Sequence, residues 1–417
     1  MMREKRILIR NVALVSMDED LGVVDGASIL IEGSSIRAAG ADPEIASAAA
    51  DEIVEAPGFI VTPGFVNAHM HTWQTALRGV ASNWTLPEYF RWVHAGLATK
   101  FTPQDIEIGT FGGAMNQLNA GTTTLVDWCH NNPTPDHTDA AVDGLERSGI
   151  RAAFFHGSPK PDPKPGHRPF WEVEHPRAEV ERLLSQSRFG SNSLLSLGMA
   201  ILGPHYSTLE VARIDFALAR ELKLTASMHQ GGGAPRAPGG WDALEAEGLL
   251  GPNINIVHGN DLDDQRLDRF IAAGVSFSVT PENEMTQGHG HPIIGRLRDR
   301  GVAPSIGVDL ESALSCEMFV AARIALVHQR SLDNAAFRGA AEPGAQPIPS
   351  TSSVTTAEAL RWVTIEGARM LGQSDRIGSI TPGKEADLVL IDARLPNMQP
   401  VHDALNSALM QTTLANI

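Results

Sequence analysis

From residue 122 to residue 309, short apolar runs alternate with longer amphipathic stretches, and this rhythm predicts most of the fold. Strand-like runs fall at 122–129, 150–157, 193–202, 224–229, 253–259, 275–281 and 303–309, after a first run that ends near His71. Helical periodicity fills the gaps at 103–120, 136–148, 174–187, 208–222, 263–273, 293–300 and 316–328. Ser207 with Glu210 reads as a capping box, and Gly121, Gly149, Gly274 and Gly301 stand where helices should stop. Such βα units in series predict a parallel (β/α)8 TIM barrel, although a doubly wound open sheet gives a similar string.

The chain ends have a different texture. Ile7-Leu8-Ile9, Val12-Ala13-Leu14-Val15, Ala27-Ser28-Ile29-Leu30-Ile31 and Ile53-Val54 are brief runs separated by Gly, Asp and Ser, which predicts a small antiparallel sheet. Gly383-Lys384-Glu385-Ala386-Asp387-Leu388-Val389-Leu390-Ile391-Asp392 has the same character. Both ends are therefore expected to form one small β-sandwich domain, 1–62 with 373–417, interrupted by a barrel over 63–372. Further strands normally follow a run like Ala408-Leu409-Met410, so the sandwich reads as incomplete or the chain as shortened. Two stretches read as loops with lid potential: 158–171, which holds five prolines, and the polar 331–353.

Polar residues placed at the ends of apolar strands need a reason. Side chains alternate along a strand, so His69 and His71 point to one side, where two imidazoles can share a metal. His229 ends the fifth strand, His258 the sixth and Asp309 the eighth. In a barrel all strand ends of one sense open on a single mouth, so the four histidines and the aspartate favour the barrel over the open sheet.

Composition narrows the partners. With 42% hydrophobic and 20% charged residues, 417 residues suit a globular enzyme with a sizeable core. A formal net charge of −16 argues against nucleic acid and anionic membrane, both of which call for basic patches. Cys129 and Cys316 are the only cysteines, too few for a disulfide framework. With no apolar leader after residues 1–10 and no long uncharged apolar segment, a cytoplasmic protein with a small-molecule substrate is expected, alone or as a homo-oligomer.

Pro63-Gly64-Phe65-Val66-Asn67-Ala68-His69-Met70-His71, Gly121-Thr122-Thr123-Thr124, Pro204-His205, His229, His258-Gly259, Gly307-Val308-Asp309 and Gly378-Ser379-Ile380 occur in a telling order. Together they resemble the amidohydrolase superfamily, and within it the cytosine deaminase and chlorotriazine hydrolase branch. The resemblance implies one divalent metal, zinc or else iron, held by His69, His71, His229 and Asp309, with a position left for water. It also implies that Asp309 takes a proton from water and that His258 polarises the substrate. Residues 194–206 contain no lysine to bridge a second metal, and Lys160 reads as a solvated loop residue.

One position departs from the pattern. Deaminases of this branch usually carry a glutamate three residues after the fifth-strand histidine, where this chain has Gly232. Glu284 is the expected substitute as proton shuttle, with Glu282, Glu311 or Asp309 alone as alternatives. The resemblance further places Gln74 and His205 against substrate. Trp73, Trp92 and His130 join them as pocket candidates, with Trp84 and Tyr89 either stacking on a flat ring or packing their own segment. The second pair, His289 and His291, reads as part of a glycine-rich loop. The expected activity is an aminohydrolase acting on a C–N bond of a small nitrogen heterocycle or cyclic amidine. The alternatives are loss of another leaving group, by dechlorination or opening of a cyclic amide, and a non-catalytic scaffold.

Overall fold

A computed structural model describes residues 4–191, 193–342, 344–345 and 347–417, and the chain divides into two compact units. One unit comprises Met1–Val66, Asn119–Thr123 and Met318–Ile417; the other comprises Asn67–Leu118 and Thr124–Glu317.

The first unit is built on a sheet of β1 (Arg6–Val15), β2 (Val23–Glu32), β3 (Ser35–Gly40), β4 (Glu52–Glu55), β5 (Phe59–Pro63) and β14 (Leu388–Asp392). β1 and β2 pair antiparallel, with Ile7 opposite Ile31 and Leu8 opposite Leu30, and β3 continues the meander. The expectation of a purely antiparallel sheet is corrected on the other edge. β1 is ten residues long, and two short strands share its free side: β4 along Ile7–Arg10 and β5 along Ala13–Leu14, both parallel to it. β14 then pairs antiparallel with β5, Ile391 opposite Ile60, so segments from both ends of the chain do meet in one sheet. Ile9, Val12, Leu14, Ile29, Ile31 and Val61 form its buried side.

A second correction concerns the helix Met318–Gly339, which runs well past the expected stop at 328. Leu332, Ala335, Ala336 and Phe337 favour helix, so it absorbs the start of the stretch read as a 331–353 loop. Residues 343 and 346 of that stretch lie outside the described residues.

Eight parallel strands run in order around a nearly closed barrel: β6 (Phe65–Met70), β7 (Thr122–Cys129), β8 (Arg151–Gly157), β9 (Leu195–Ala200), β10 (Ala226–Gln230), β11 (Ile254–His258), β12 (Ser276–Val279) and β13 (Ser305–Ile306). The last strand was expected over 303–309 but is regular for only two residues. Gly307 explains why. A Cβ there would stand 2.6 Å from both the backbone nitrogen and the carbonyl oxygen of His69, so the chain passes flush against β6. Backbone bonds continue the pairing beyond the regular strand: the Val308 and Asp309 N–H groups both donate to the His69 carbonyl, and the His71 N–H donates to that of Asp309.

A belt of polar side chains links four neighbouring strands inside the barrel. The Ser227 hydroxyl donates to Asn255 Oδ1 at 2.9 Å, Asn255 Nδ2 donates to the Ser278 hydroxyl at 3.0 Å, and the hydroxyls of Ser278 and Ser305 bond at 2.9 Å. A one-residue slip would break the belt and turn every following side chain to the wrong face. Helix boundaries otherwise fall within a few residues of expectation, with left-handed Gly149 closing Pro135–Ser148. The proposed Ser207–Glu210 capping box does not form. Thr208 is the cap, accepting the Val211 N–H, while the Ser207 hydroxyl donates back to the Gly203 carbonyl. Among the described residues no helix is long and apolar enough to cross a membrane.

The Gly307 contact yields a test of this close approach. Because the obstructing atoms are backbone, Gly307→Ala is expected to lower stability by about 2 kcal/mol or more. A calorimetric Tm unchanged from wild type would contradict it.

Candidate metal centre

β6 delivers His69, and His71 follows it directly, so period two sends both rings to the same side. β10 delivers His229, and the link after β13 delivers Asp309. Nε2 of His69 stands 3.2 Å from Nε2 of His229 and 3.5 Å from Asp309 Oδ1, which lies 3.4 Å from Nε2 of His71. One ligand atom from each of the three histidines lies within 4.8 Å of the others. Donors that each stand about 2.0–2.1 Å from one ion lie about 3–4 Å from their neighbours, so these separations fit a small divalent ion.

Protonation supports the same fit. Burial pulls the His71 imidazole down to about 3, helped by His69, and pulls His229 well below its ordinary value. His69 is also lowered by burial, against the pull of Asp309. Burial pushes Asp309 up, but its bond to His69 and the surrounding imidazoles hold it below the usual carboxylate range. Three neutral imidazoles and an anionic oxygen thus converge in a buried space, which is unfavourable unless a cation balances them. The His71 Nδ1–H donates to the Trp128 carbonyl at 2.7 Å, which leaves its Nε2 lone pair facing the cluster.

Asn283 Nδ2 donates to Asp309 Oδ2 at 2.6 Å. His258 turns inward through a left-handed backbone, φ 69°, and Asp309 has the same φ; such strain costs about 1–3 kcal/mol each. Glu284 sits 3.2 Å from His258 Nδ1, and its other contacts are the Thr280 N–H at 2.7 Å and Asn260 Nδ2 at 3.1 Å. Both carboxylate oxygens of Glu284 are therefore engaged, Oε1 with His258 and Thr280 and Oε2 with Asn260. It lies behind the ring and does not line the chamber in front of it. Pro281 at the first position of the helix Pro281–Gln287 starts that helix immediately after β12, which sets Asn283 and Glu284 at this depth.

The cluster opens on an inner chamber of about 30 Å³, walled by Tyr89, His94, Lys160, Tyr206, Gln287 and His289 among others. Beyond it lies an outer cavity of about 740 Å³, lined by Phe90, Trp171, His205, Tyr206, Gly232 and Arg236 among others. His205 therefore stands in the outer wall, with Gln230 Nε2 donating to its Nδ1 at 3.1 Å. His130 is packed 4.2 Å from the His71 ring and faces a side cavity of about 330 Å³.

The other aromatic and amide candidates lie elsewhere. Gln74 lines none of these cavities; its amide donates to the Tyr89 hydroxyl and accepts from Ser312, so it positions Tyr89. Trp73 is buried edge-on against Phe101 and His130, and Trp92 is 48% exposed beneath Arg91. Glu311 is tied to Arg78 and Asn116. His156 pairs with His175 away from the cluster, at 3.1 Å.

Sequence reasoning missed several walls of the chamber. Lys160 is the main correction: expected as a solvated loop residue, it is 7% exposed, with its ammonium among the rings of Trp128, Tyr206 and Phe90. Pro159 and Pro161 on either side were the available signal, since they fix the path of a loop that otherwise wanders. Gln287 has both amide atoms buried without partners, and both nitrogens of His289 are likewise unpartnered. The His289 ring packs 4.4 Å from that of His258. At Gly232, where related deaminases are expected to carry glutamate, φ is +90° and a Cβ would lie 2.6 Å from Leu86 Cδ2 and 2.9 Å from the Tyr206 hydroxyl. A side chain there would have to displace the ends of the Leu86 and Tyr206 side chains.

A model of the amidohydrolase family matches residues 60–416. Among curated relatives, a 5'-deoxyadenosine deaminase from Methanosarcina mazei is 25% identical over 415 residues, covering 95% of this chain and 87% of the relative. An 8-oxoguanine deaminase from Pseudomonas aeruginosa is 27% identical over 429 residues, covering 97% and 90%. An adenosine deaminase structure from Xanthomonas campestris with bound zinc superposes with a TM-score of 0.80 at 22% identity, covering 100% of this chain and 91% of that one. A mutant atrazine chlorohydrolase from Arthrobacter aurescens, complexed with zinc and atraton, gives 0.81 at 21%, covering 97% and 91%. These two superpositions carry the fold. With a family match that spans the barrel and every residue of the histidine cluster, the chain belongs to the amidohydrolase family.

Proposed function

We propose that this hydrolase carries one divalent ion, zinc before iron, and expels ammonia or an amine from an sp2 carbon of a small nitrogen heterocycle. The observation that carries the reading is the close approach of donors from His69, His71, His229 and Asp309, 3.2 to 3.5 Å apart in three of their pairs, at the wall of a narrow chamber. Imidazole and carboxylate donors suit such ions, and zinc is bound in the two solved relatives named above. The deaminase names among the relatives support aminated purines as the first substrates to try.

An ion held there supplies Lewis acidity and brings the pKa of water towards neutrality. The side chains divide the remaining work. The Asp309 carboxylate accepts a proton as the water oxygen bonds to the ring carbon, and returns it to the leaving nitrogen as the C–N bond breaks. Asn283 keeps that carboxylate turned to the chamber. His258 stands 3.8 Å from Asp309 Oδ2 through its Nε2 and hydrogen-bonds the group on which charge develops, its ring fixed from behind by Glu284. Glu284 is accordingly a positioning residue here, while Gln287 and His289 offer unpartnered polar atoms to the ring. The inner chamber admits only the reacting end of a substrate, and the outer cavity has the size usual for the rest of one.

A second reading keeps the same machinery with a different leaving group, such as halide. It is favoured by Gly232, which supplies no carboxylate at the position that serves ammonia loss in deaminases.

Zinc-loaded protein assayed against aminated purines, aminated pyrimidines, adenosine 5'-derivatives and chlorotriazines is expected to release ammonia from at least one of the first three. Release of chloride alone selects the second reading, and no product from a fully metallated protein overturns both. His229→Ala is expected to drop bound metal from about one ion per chain to a trace, with activity lost alongside it, as read by elemental analysis. Glu284→Gln should keep the ion and lower kcat by roughly 10–100-fold. Full activity in that variant would show that His258 needs no such anchor.

A further inference from the structure

We infer that the substrate carries an oxyanion, a carboxylate or a phosphate, that ion-pairs with Lys160 at the junction of the inner and outer cavities. This deepens the proposed hydrolase reading and rests on it for taking the bound molecule to be the substrate. Lys160 follows β8 by three residues, and its flanking prolines hold the backbone so that the side chain reaches inward. It lines the inner chamber, the outer cavity and the side cavity alike. Its nitrogen stands 5.3 Å from the ring centres of Trp128 and Tyr206 and 5.8 Å from that of Phe90. Those faces steady a cation but accept none of its three N–H bonds in the way an oxygen does. Among the described residues it makes no hydrogen bond or ion pair.

A buried ammonium without an anionic partner is costly, and a ligand that brings the anion removes the cost. Burial lowers the amine to about 8, against the pull of Asp309, so it stays mainly protonated at neutral pH. The surroundings agree. The chain carries −16 in formal charge, yet among the described residues the outer cavity is lined by Arg91, Lys160 and Arg236 against one carboxylate, Asp162. Arg236 stacks on Trp171 at 3.6 Å, which fixes a second cation on the same side of the opening. Such a lining draws in anions and leaves neutral rings of the same shape at a disadvantage.

The test compares benzoate and phenyl phosphate with neutral benzamide, by calorimetric titration of zinc-loaded protein. At least one anion is expected to bind roughly 10- to 100-fold tighter than benzamide, and Lys160→Met is expected to remove that preference. The stronger of the two identifies the oxyanion. In wild-type protein the same anion should slow reductive methylation of Lys160, read by mass spectrometry, while benzamide should not; this arm needs no variant to fold. Anions that bind no better than benzamide, or a preference that survives in Lys160→Met, overturn the inference. Its failure is separable from that of the hydrolase reading. Ammonia release from neutral ring amines without anion preference sinks only the oxyanion, and a Lys160-dependent preference in a protein that turns over no ring amine sinks only the hydrolase.

Discussion

The constraint on which the site depends is the enforced meeting of three uncharged imidazoles and one carboxylate in a buried space. None of these groups would choose that company. They come from three strand ends, β6, β10 and β13, and the last two are kept in step with their neighbours by the belt of Ser227, Asn255, Ser278 and Ser305. His229 lies two residues beyond Ser227 on the same strand, so even spacing carries the register of the belt directly to that donor. The free energy that crowds the donors comes from the packed barrel, and a cation recovers part of it.

Around the donors, holding and reacting are done by different side chains. The Trp128 carbonyl sets the tautomer of His71, Asn283 orients Asp309, and Glu284 stiffens His258 from behind. Gln74 does the same for Tyr89. Gln287 and His289, whose buried polar atoms lack partners, line the chamber together with Lys160. Buried polar groups are usually paired, and at this wall a ligand would complete them.

What was legible in the sequence was whatever depended on local periodicity. His69 and His71 are two apart on a strand, which suffices to aim both rings one way, and apolar runs located seven barrel strands within a few residues. Three features escaped because they depend on contacts between distant segments. β13 is cut short by Gly307 lying against His69, a fact of β6 and not of its own run. The sheet at the chain ends is mixed because β1 is long enough for two short strands to share its edge. Lys160 looked like any lysine in a proline-rich loop until the loop was seen folding it among three rings. Glu284 was recognisable as a carboxylate near the mouth, but whether it faces the chamber or the back of His258 turns on where the helix after β12 begins.

The hoop of strands has one weak link, the two-residue β13, joined to β6 by a few backbone bonds and a single bridge between Met70 and Asp309. That link is also where His69, His71 and Asp309 contribute their donor atoms. An ion held by those donors would span the seam, so one group would serve both the closure of the barrel and the reaction.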